Sequence, residues 1–126
     1  MTVTGSKRIL VADDNDTARR ALTRYLGSHR DLEICGEAVD GEEAIEKAWE
    51  LKPDLILLDV VMPRTNGIVA ASVLKDLLPN VRIILFTMYA DAMARAFPRT
   101  GLAADAVISK GEGMQKLADC VHSLLA

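Results

Sequence analysis

Several residue types are scarce in this chain of 126 residues, and each scarcity narrows the class of protein. Aromatic residues make up only 4%, which disfavours an aromatic-lined groove and indicates an aliphatic core. The net charge is −3 and there is no Lys- and Arg-rich run, so we expect no direct nucleic-acid binding. Apolar stretches are of strand length and no apolar signal segment opens the chain, so we expect no membrane span and a cytoplasmic location.

The chain has two cysteines, Cys35 and Cys120, which are far apart and have no histidine cluster beside them. This spacing argues against a metal-binding or redox motif, and we expect both to be buried, reduced packing residues. Half of the residues are apolar, enough to cover one core. We therefore predict a short tail over residues 1–6 and a single domain over residues 7–126.

Short apolar runs alternate with segments of helical period, which is the pattern of repeated βα units around a parallel sheet. Five strands are predicted, at Arg8–Ala12, Leu32–Ala38, Leu55–Asp59, Arg82–Thr87 and Asp105–Ser109. The third and fourth are apolar on both faces and should be central. The predicted fold is α/β and flavodoxin-like, a doubly wound five-stranded parallel sheet of order 2-1-3-4-5 with five helices.

Polar residues mark the helix boundaries. Asn15 or Asp16 is predicted to cap the first helix, and Asp40 precedes the second. The fourth helical segment, about Asp91 to Thr100, is weaker because Pro98 lies inside it and would kink or shorten the helix.

Chemically active side chains follow the predicted strands at their carboxyl ends. Asp13 and Asp14 follow the first strand, Asp59 ends the third, Thr87 ends the fourth and Lys110 follows the fifth. Open α/β sheets form their sites at this edge, near the point where the winding reverses. Three converging carboxylates would repel one another unless a hard cation compensated them, and such oxygen ligands suit Mg²⁺. An acidic Mg²⁺ site is therefore expected there.

The same residue types suit phosphoryl transfer. A transferred phosphoryl group spreads negative charge over its oxygens, so catalysis needs positioning and cationic stabilisation, which Lys110 and Mg²⁺ would supply. Asp59 is the best candidate nucleophile because it ends a buried strand and leads into a turn. The Thr87 hydroxyl would then hydrogen-bond a phosphoryl oxygen.

At these positions the sequence resembles the receiver domain family of two-component response regulators, from about Lys7 to the C-terminus. Each matching stretch is weak alone, but their order and spacing together are specific. The stretches are Ile9-Leu-Val-Ala-Asp-Asp-Asn15 with Arg19, Leu57-Leu-Asp-Val-Val-Met-Pro63 with Gly67, Ile84-Leu-Phe-Thr87, and Ile108-Ser-Lys110.

The resemblance implies a role for each acidic residue. Asp59 would accept a phosphoryl group from a phosphohistidine on a sensor histidine kinase or phosphotransfer protein. Asp14 and Asp59 would bind Mg²⁺ directly, Asp13 would act through metal-bound water, and the backbone carbonyl of Val61 would complete the ligands. The receiver would catalyse its own modification yet serve as a signalling switch rather than as an enzyme.

The resemblance also implies how phosphorylation would be passed on to a partner, as a change in one face of the domain. Thr87 and Lys110 would contact the phosphoryl group, and the face of the fourth helix, fifth strand and fifth helix would change shape, with a homodimer as one possible result. The stretch Phe86-Thr-Met-Tyr-Ala-Asp91 looks most like receivers fused to a DNA-binding helix-turn-helix domain. No such domain follows, so we expect a stand-alone receiver or one excised from a longer chain, with an output partner yet to be named.

Some positions depart from the family pattern. Val107 stands where Tyr or Phe is usual, and Gly111 replaces the usual Pro after the lysine. Val61 and Tyr89, which flank the route of attacking water in this family, have no carboxamide or carboxylate, so we predict a long-lived phosphorylated state. Met62, Met88 and Met93 are expected to fill gaps around the site.

Two other functions compete with the receiver interpretation. A phosphorylation-independent pseudo-receiver, which signals by docking alone, is supported by Val107 and Pro98. A magnesium-dependent phosphohydrolase with an aspartyl nucleophile would also need these carboxylates. Such enzymes typically place a second Asp two residues after the nucleophile, where this chain has Val61.

Overall fold

Five βα units follow one another in the computed structural model, which describes residues 6–96 and 102–126. The strands are β1 (Lys7–Ala12), β2 (Leu32–Ala38), β3 (Leu55–Leu58), β4 (Arg82–Thr87) and β5 (Ala106–Ser109). The helices are α1 (Asp16–Gly27), α2 (Gly41–Leu51), α3 (Gly67–Leu77), α4 (Ala90–Ala96) and α5 (Met114–Leu125), with a 3₁₀ turn at Lys110–Glu112 before α5.

All strand pairs are parallel, and their order is β2-β1-β3-β4-β5. The predicted topology is confirmed, with β3 at the centre and β4 also inside the sheet. Each predicted strand boundary lies within one residue of the observed one. The pairing of β1 with β2 shifts by one residue between Ile9 and Leu10, which leaves Cys35 without a partner on β1.

The core lies on both faces of the sheet because successive strand side chains point to opposite sides. Leu10 packs on one face, in a cluster with residues of α2, α3 and α4. Ile9 and Val11 pack on the other face, with residues of α1 and α5. The sheet is therefore covered on both sides, which explains why all four residues of β3 are buried.

Side-chain caps fix the starts of three helices. Asn15, Asp40 and Asn66 each accept a hydrogen bond from the backbone N–H three residues later, at 2.8, 2.7 and 3.0 Å. Asn15, rather than Asp16, is therefore the cap of α1. The described part of the fourth helix is Ala90–Ala96, and Pro98 lies outside the described residues.

The two cysteines are less buried than predicted. Cys35 and Cys120 are free thiols that are partly exposed while packing against the two core clusters, so the prediction that both are buried is wrong. Burial is still sufficient to raise the pKa of both thiols. Among the described helices, none combines the length and the apolar character needed to cross a bilayer.

Candidate functional site

Asp13, Asp14 and Asp59 form an acidic cup at the carboxyl edge of the sheet. The last residues of β1 and β3, Ala12 and Leu58, pair side by side, and the Asp59 N–H donates to the Ala12 carbonyl at 2.9 Å. One carboxylate oxygen from each Asp lies within 4.8 Å of the others. Asp13 is 1% exposed and Asp59 is 8% exposed, whereas Asp14 is exposed. The predicted convergence of the three carboxylates is therefore present.

Lys110 reaches into the acidic cup from the turn after β5. Its Nζ lies 3.0 Å from Asp13 Oδ2 and 3.3 Å from Asp59 Oδ2. Burial lowers the pKa of Lys110, but the hydrogen bond and the charges of the two carboxylates outweigh it, so the pKa is raised. Lys110 is therefore a fixed positive charge between two acidic side chains.

Asp59 is held in an environment that disfavours its charge. Burial raises the pKa of Asp59; attraction to Lys110 opposes that rise and repulsion from Asp13 adds to it, so the pKa is higher than usual. A single lysine thus compensates the cup incompletely. A divalent cation with a preference for oxygen ligands fits this donor set, and Mg²⁺ has that preference.

The two acids that follow β1 differ in what they contact. Asp13 Oδ1 accepts the Asn15 N–H at 2.9 Å and Asp13 Oδ2 accepts Lys110 Nζ, so both carboxylate oxygens are engaged. Within residues 6–96 and 102–126, no hydrogen bond is made to the Asp14 carboxylate. Asp14 therefore keeps its oxygen lone pairs for another ligand.

Thr87 and Val61 lie at the ends of the strands beside the acidic cup. Thr87 is fully buried at the end of β4, and its Oγ1 accepts the Tyr89 N–H at 3.0 Å. Val61 is 57% exposed, and its N–H approaches Asp59 Oδ1 at 3.4 Å. A hydrogen bond thus joins Val61 to Asp59. Thr87 makes no such bond to Asp59 among the described residues, but it ends the strand that neighbours β3.

The loop that carries Asp59 is packed tightly against two helix starts. A Cβ at Gly67 would lie 2.2 Å from the Asp59 carbonyl oxygen, and one at Gly41 would lie 1.8 Å from the Thr65 carbonyl oxygen. No real contact is that short, so neither position has room for a larger residue. Gly67 belongs to a stretch that matches the family, but no residue pattern indicates either close approach.

Two supporting residues were missed by the sequence analysis. Asn15 was predicted as one of two candidate helix caps and ended a matching stretch, yet its N–H also donates to the Asp13 carboxylate. Arg19 was only part of a matching stretch, yet its Nη1 donates to the Asp13 carbonyl at 2.9 Å. No sequence signal marks these contacts because both depend on the path of the loop after β1.

The methionines around the site divide into two groups. Met62 and Met93 are buried, at 7% and 5% exposed, and fill gaps as predicted. Met88 is 68% exposed, so the prediction for it is wrong. Together with Tyr89 and Val61, Met88 gives the edge of the sheet an exposed apolar character.

The arrangement of the acidic cup and Lys110 occurs in a chain that matches a known protein family. The family model of the response regulator receiver domain matches residues 9–122. The chain belongs to that family. It is 33% identical over 115 residues, 91% of its length, to the response regulator protein VraR of Staphylococcus aureus strain Mu3. It is 40% identical over 82 residues, 65% of its length, to VraR of Staphylococcus saprophyticus.

These curated relatives are longer than the receiver domain. The matches cover 54% of the Staphylococcus aureus protein and 39% of the Staphylococcus saprophyticus protein. The chain therefore spans about half or less of the length of these relatives. The part that it matches is a receiver domain of two-component signalling.

Solved receiver structures have the same architecture. A two-component response regulator of the LuxR family from Aurantimonas sp. SI85-9A1 superimposes with a TM-score of 0.84 at 25% identity, covering 95% of this chain and 85% of that one. The response regulator TrrA from Thermotoga maritima, solved in complex with Mg(2+)-BeF, superimposes with a TM-score of 0.79 at 31% identity. That match covers 94% of this receiver and 98% of TrrA.

Proposed function

We propose that Asp59 accepts a phosphoryl group from a phosphohistidine of a sensor histidine kinase or phosphotransfer protein, in a Mg²⁺-dependent reaction that changes partner binding. The main support is the convergence of a buried Asp59 with Asp13, Asp14 and a Lys110 ammonium group 3.3 Å away. An independent support is that TrrA, which is 31% identical, was solved with Mg(2+)-BeF.

The proposed Mg²⁺ ligands are the carboxylates of Asp14 and Asp59 and the backbone carbonyl of Val61. Asp13 would act through metal-bound water because both of its carboxylate oxygens accept short hydrogen bonds, at 2.9 and 3.0 Å, whereas the corresponding contacts of Asp59 are longer, at 3.4 and 3.3 Å. Three carboxylates and one ammonium group leave a formal excess of two negative charges, which a divalent cation matches. When bound, Mg²⁺ supplies charge neutralisation to the carboxylates and to the phosphoryl oxygens.

The proposed transfer needs few protein groups. An Asp59 carboxylate oxygen forms a bond to phosphorus as the bond between phosphorus and the donor imidazole nitrogen breaks, and the imidazole takes up a proton from solvent. Lys110 holds its positive charge beside the arriving phosphoryl oxygens, and the Thr87 hydroxyl, placed by the Tyr89 N–H, donates to one of them. Asp59 is thereby modified, so the domain is a switch and not an enzyme acting on others.

The proposed output is a change in the face formed by α4, β5 and α5. Val107, in place of the usual aromatic residue, is partly buried against the core cluster on the α2 and α3 side. The receiver's likeness to a LuxR-family response regulator favours a helix-turn-helix output domain, fused or separate, as the partner. Dimer formation on phosphorylation is part of the same proposal.

Intact-mass measurement after incubation with acetyl phosphate tests the acceptor. We expect one phosphoryl adduct that forms with Mg²⁺, that does not form in the presence of a chelator, and that is absent from Asp59→Ala. Asp76→Ala, which removes an exposed carboxylate on α3, is the matched control and should be modified normally.

Failure of this experiment has a defined meaning. If the folded protein acquires no adduct and also fails to bind beryllofluoride with Mg²⁺, the phosphoryl-acceptor proposal is wrong. The phosphorylation-independent interaction module, which Val107 favours, would then be the better interpretation.

A further inference from the structure

We propose that Arg19 is a positioning residue for the Mg²⁺ site. It fixes the peptide unit between Asp13 and Asp14 and thereby directs the Asp14 carboxylate into the acidic cup. This inference rests on the proposed function, because it concerns the affinity of the same cup for Mg²⁺.

Arg19 ties together three separate parts of the fold. Its Nη1 donates to the Asp13 carbonyl at 2.9 Å, its Nη2 donates to Asp16 Oδ1 at 2.7 Å, and its Nε donates to Glu37 Oε1 at 3.0 Å. The acceptors belong to the loop after β1, to α1 and to β2. The Arg19 side chain is only 12% exposed, and its bond to the Asp13 carbonyl is partly buried, whereas the carboxylates of Asp16 and Glu37 are exposed. Three simultaneous hydrogen bonds therefore restrain the Arg19 guanidinium beside the acidic cup.

The bond to the Asp13 carbonyl bears on Asp14 in particular. A peptide unit is planar, so holding the carbonyl of Asp13 also fixes the direction of the bond into Asp14. Asp13 has further restraints, since its N–H donates to Ala38 at 3.0 Å and its carboxylate contacts Lys110. In the described part of the chain the Asp14 carboxylate has no such side-chain partner. The direction of the Asp14 carboxylate therefore depends on the backbone between Asp13 and Asp14, which Arg19 holds in place.

The chemistry of the guanidinium group explains why arginine suits this position. Its donors form a rigid planar fork, whereas a lysine ammonium is a compact point charge that cannot reach three acceptors placed on different elements. Arg19→Lys therefore keeps the charge and loses the geometry. This substitution separates an electrostatic contribution of Arg19 from a positioning one.

The test is the dissociation constant for Mg²⁺, measured by calorimetry on the full chain at a temperature where each variant is folded. We expect Arg19→Lys and Arg19→Gln to raise the constant about tenfold or more, as loss of a group that orients metal ligands does. Arg20→Gln removes a neighbouring exposed guanidinium from α1 and should change it by less than about twofold.

A second readout separates metal binding from phosphoryl transfer. In the reaction with acetyl phosphate, the Mg²⁺ concentration for half-maximal rate should rise by the same factor in Arg19→Lys, while the rate at saturating Mg²⁺ changes by less than about threefold. A purely structural role would lower the melting temperature without moving the dissociation constant. Glu37→Gln weakens one acceptor of Arg19 and should give a smaller increase in the constant.

The possible results distinguish this inference from the proposed function. If the wild-type protein binds Mg²⁺ and is phosphorylated, and folded Arg19→Lys and Glu37→Gln bind Mg²⁺ with the wild-type constant, the positioning role is overturned and the acceptor function stands. If the wild-type protein binds no Mg²⁺, both are overturned. If Arg19→Gln does not fold, the Arg19→Lys and Glu37→Gln measurements still decide the question.

Discussion

Replacing Asp59 by asparagine should stabilise this receiver when Mg²⁺ is chelated, although it removes the proposed acceptor. Burial raises the pKa of Asp59, with Lys110 opposing the rise and Asp13 adding to it. A carboxyl group whose pKa is raised by folding contributes most stability below its unfolded pKa and loses that contribution as the pH rises through the folded pKa. Above the folded pKa the ionised Asp59 is therefore unfavourable to folding, and a neutral asparagine avoids that penalty.

The size of the effect follows from the separations in the acidic cup. Carboxylates within 4.8 Å of each other repel by roughly 3.5 kcal/mol at an effective dielectric constant of about 20. Asp59 has two such neighbours, and their combined repulsion exceeds the attraction of roughly 5 kcal/mol from the Lys110 ammonium at 3.3 Å. Solvent screening of the exposed Asp14 reduces its share of this repulsion, while burial of Asp59, the largest cause of its raised pKa, adds to the penalty, so we expect Asp59→Asn to raise the free energy of unfolding by about 1–2 kcal/mol.

Urea denaturation followed by circular dichroism at pH 7 measures this difference. The gain should appear in chelator and shrink when Mg²⁺ is added, because the ion stabilises the wild-type fold in proportion to its binding. Asp119→Asn, an exposed carboxylate on α5, should change the free energy of unfolding by less than about 0.5 kcal/mol. An Asp59→Asn variant no more stable than the wild-type protein in chelator would refute the view that the cup carries uncompensated charge.

Three further outcomes are expected. Asp105 accepts a hydrogen bond from Lys75 Nζ at 2.8 Å, and although burial raises the pKa of Asp105, this partner and its other donors lower it overall. After allowance for solvent screening of this exposed residue, Asp105→Asn should cost about 1 kcal/mol in urea denaturation at pH 7, a deficit that disappears as the pH falls through the lowered pKa. Gly67→Ala should destabilise the fold by about 1–3 kcal/mol and slow phosphorylation, because the added Cβ meets the Asp59 carbonyl oxygen; normal stability and rate would contradict the packing argument. Label on purified phospho-protein should be long-lived and should be lost about tenfold faster in Val61→Asn, whose carboxamide can orient water; rapid loss from the wild-type protein would count against this.

The sheet and the carboxylate positions could be predicted because they depend on regular geometry. Apolar runs such as Leu55–Leu58 define buried strands, and parallel strands end at a common edge, so the residues after Ala12 and Leu58 must lie near each other. The contact of Lys110 with two of these acids follows from the same edge. This part of the site needs only strand order and strand length.

The supporting contacts could not be predicted because they occur where the chain leaves the sheet. Beyond a strand end the two-residue alternation no longer indicates which way a side chain points. Met88, just after β4, was expected to fill a gap around the site, and it is exposed. The contact of Arg19 with a backbone carbonyl and the close approach of Gly67 depend on loop paths. Neither the Arg19 contact nor the close approach at Gly67 can be predicted from residue types alone.

The one-residue shift between β1 and β2 decides which side of the sheet receives Glu37. In the observed pairing Glu37 lies beside Val11, on the face covered by α1, where Arg19 meets it. Without the shift it would lie beside Ala12, whose side chain packs on the opposite face, and Arg19 would lose this acceptor. The number of residues in β2 thus matters as much as the identity of Glu37 for the contact with Arg19. An insertion or deletion in this edge strand would therefore remove an acceptor of Arg19 while every residue of the acidic cup stayed the same.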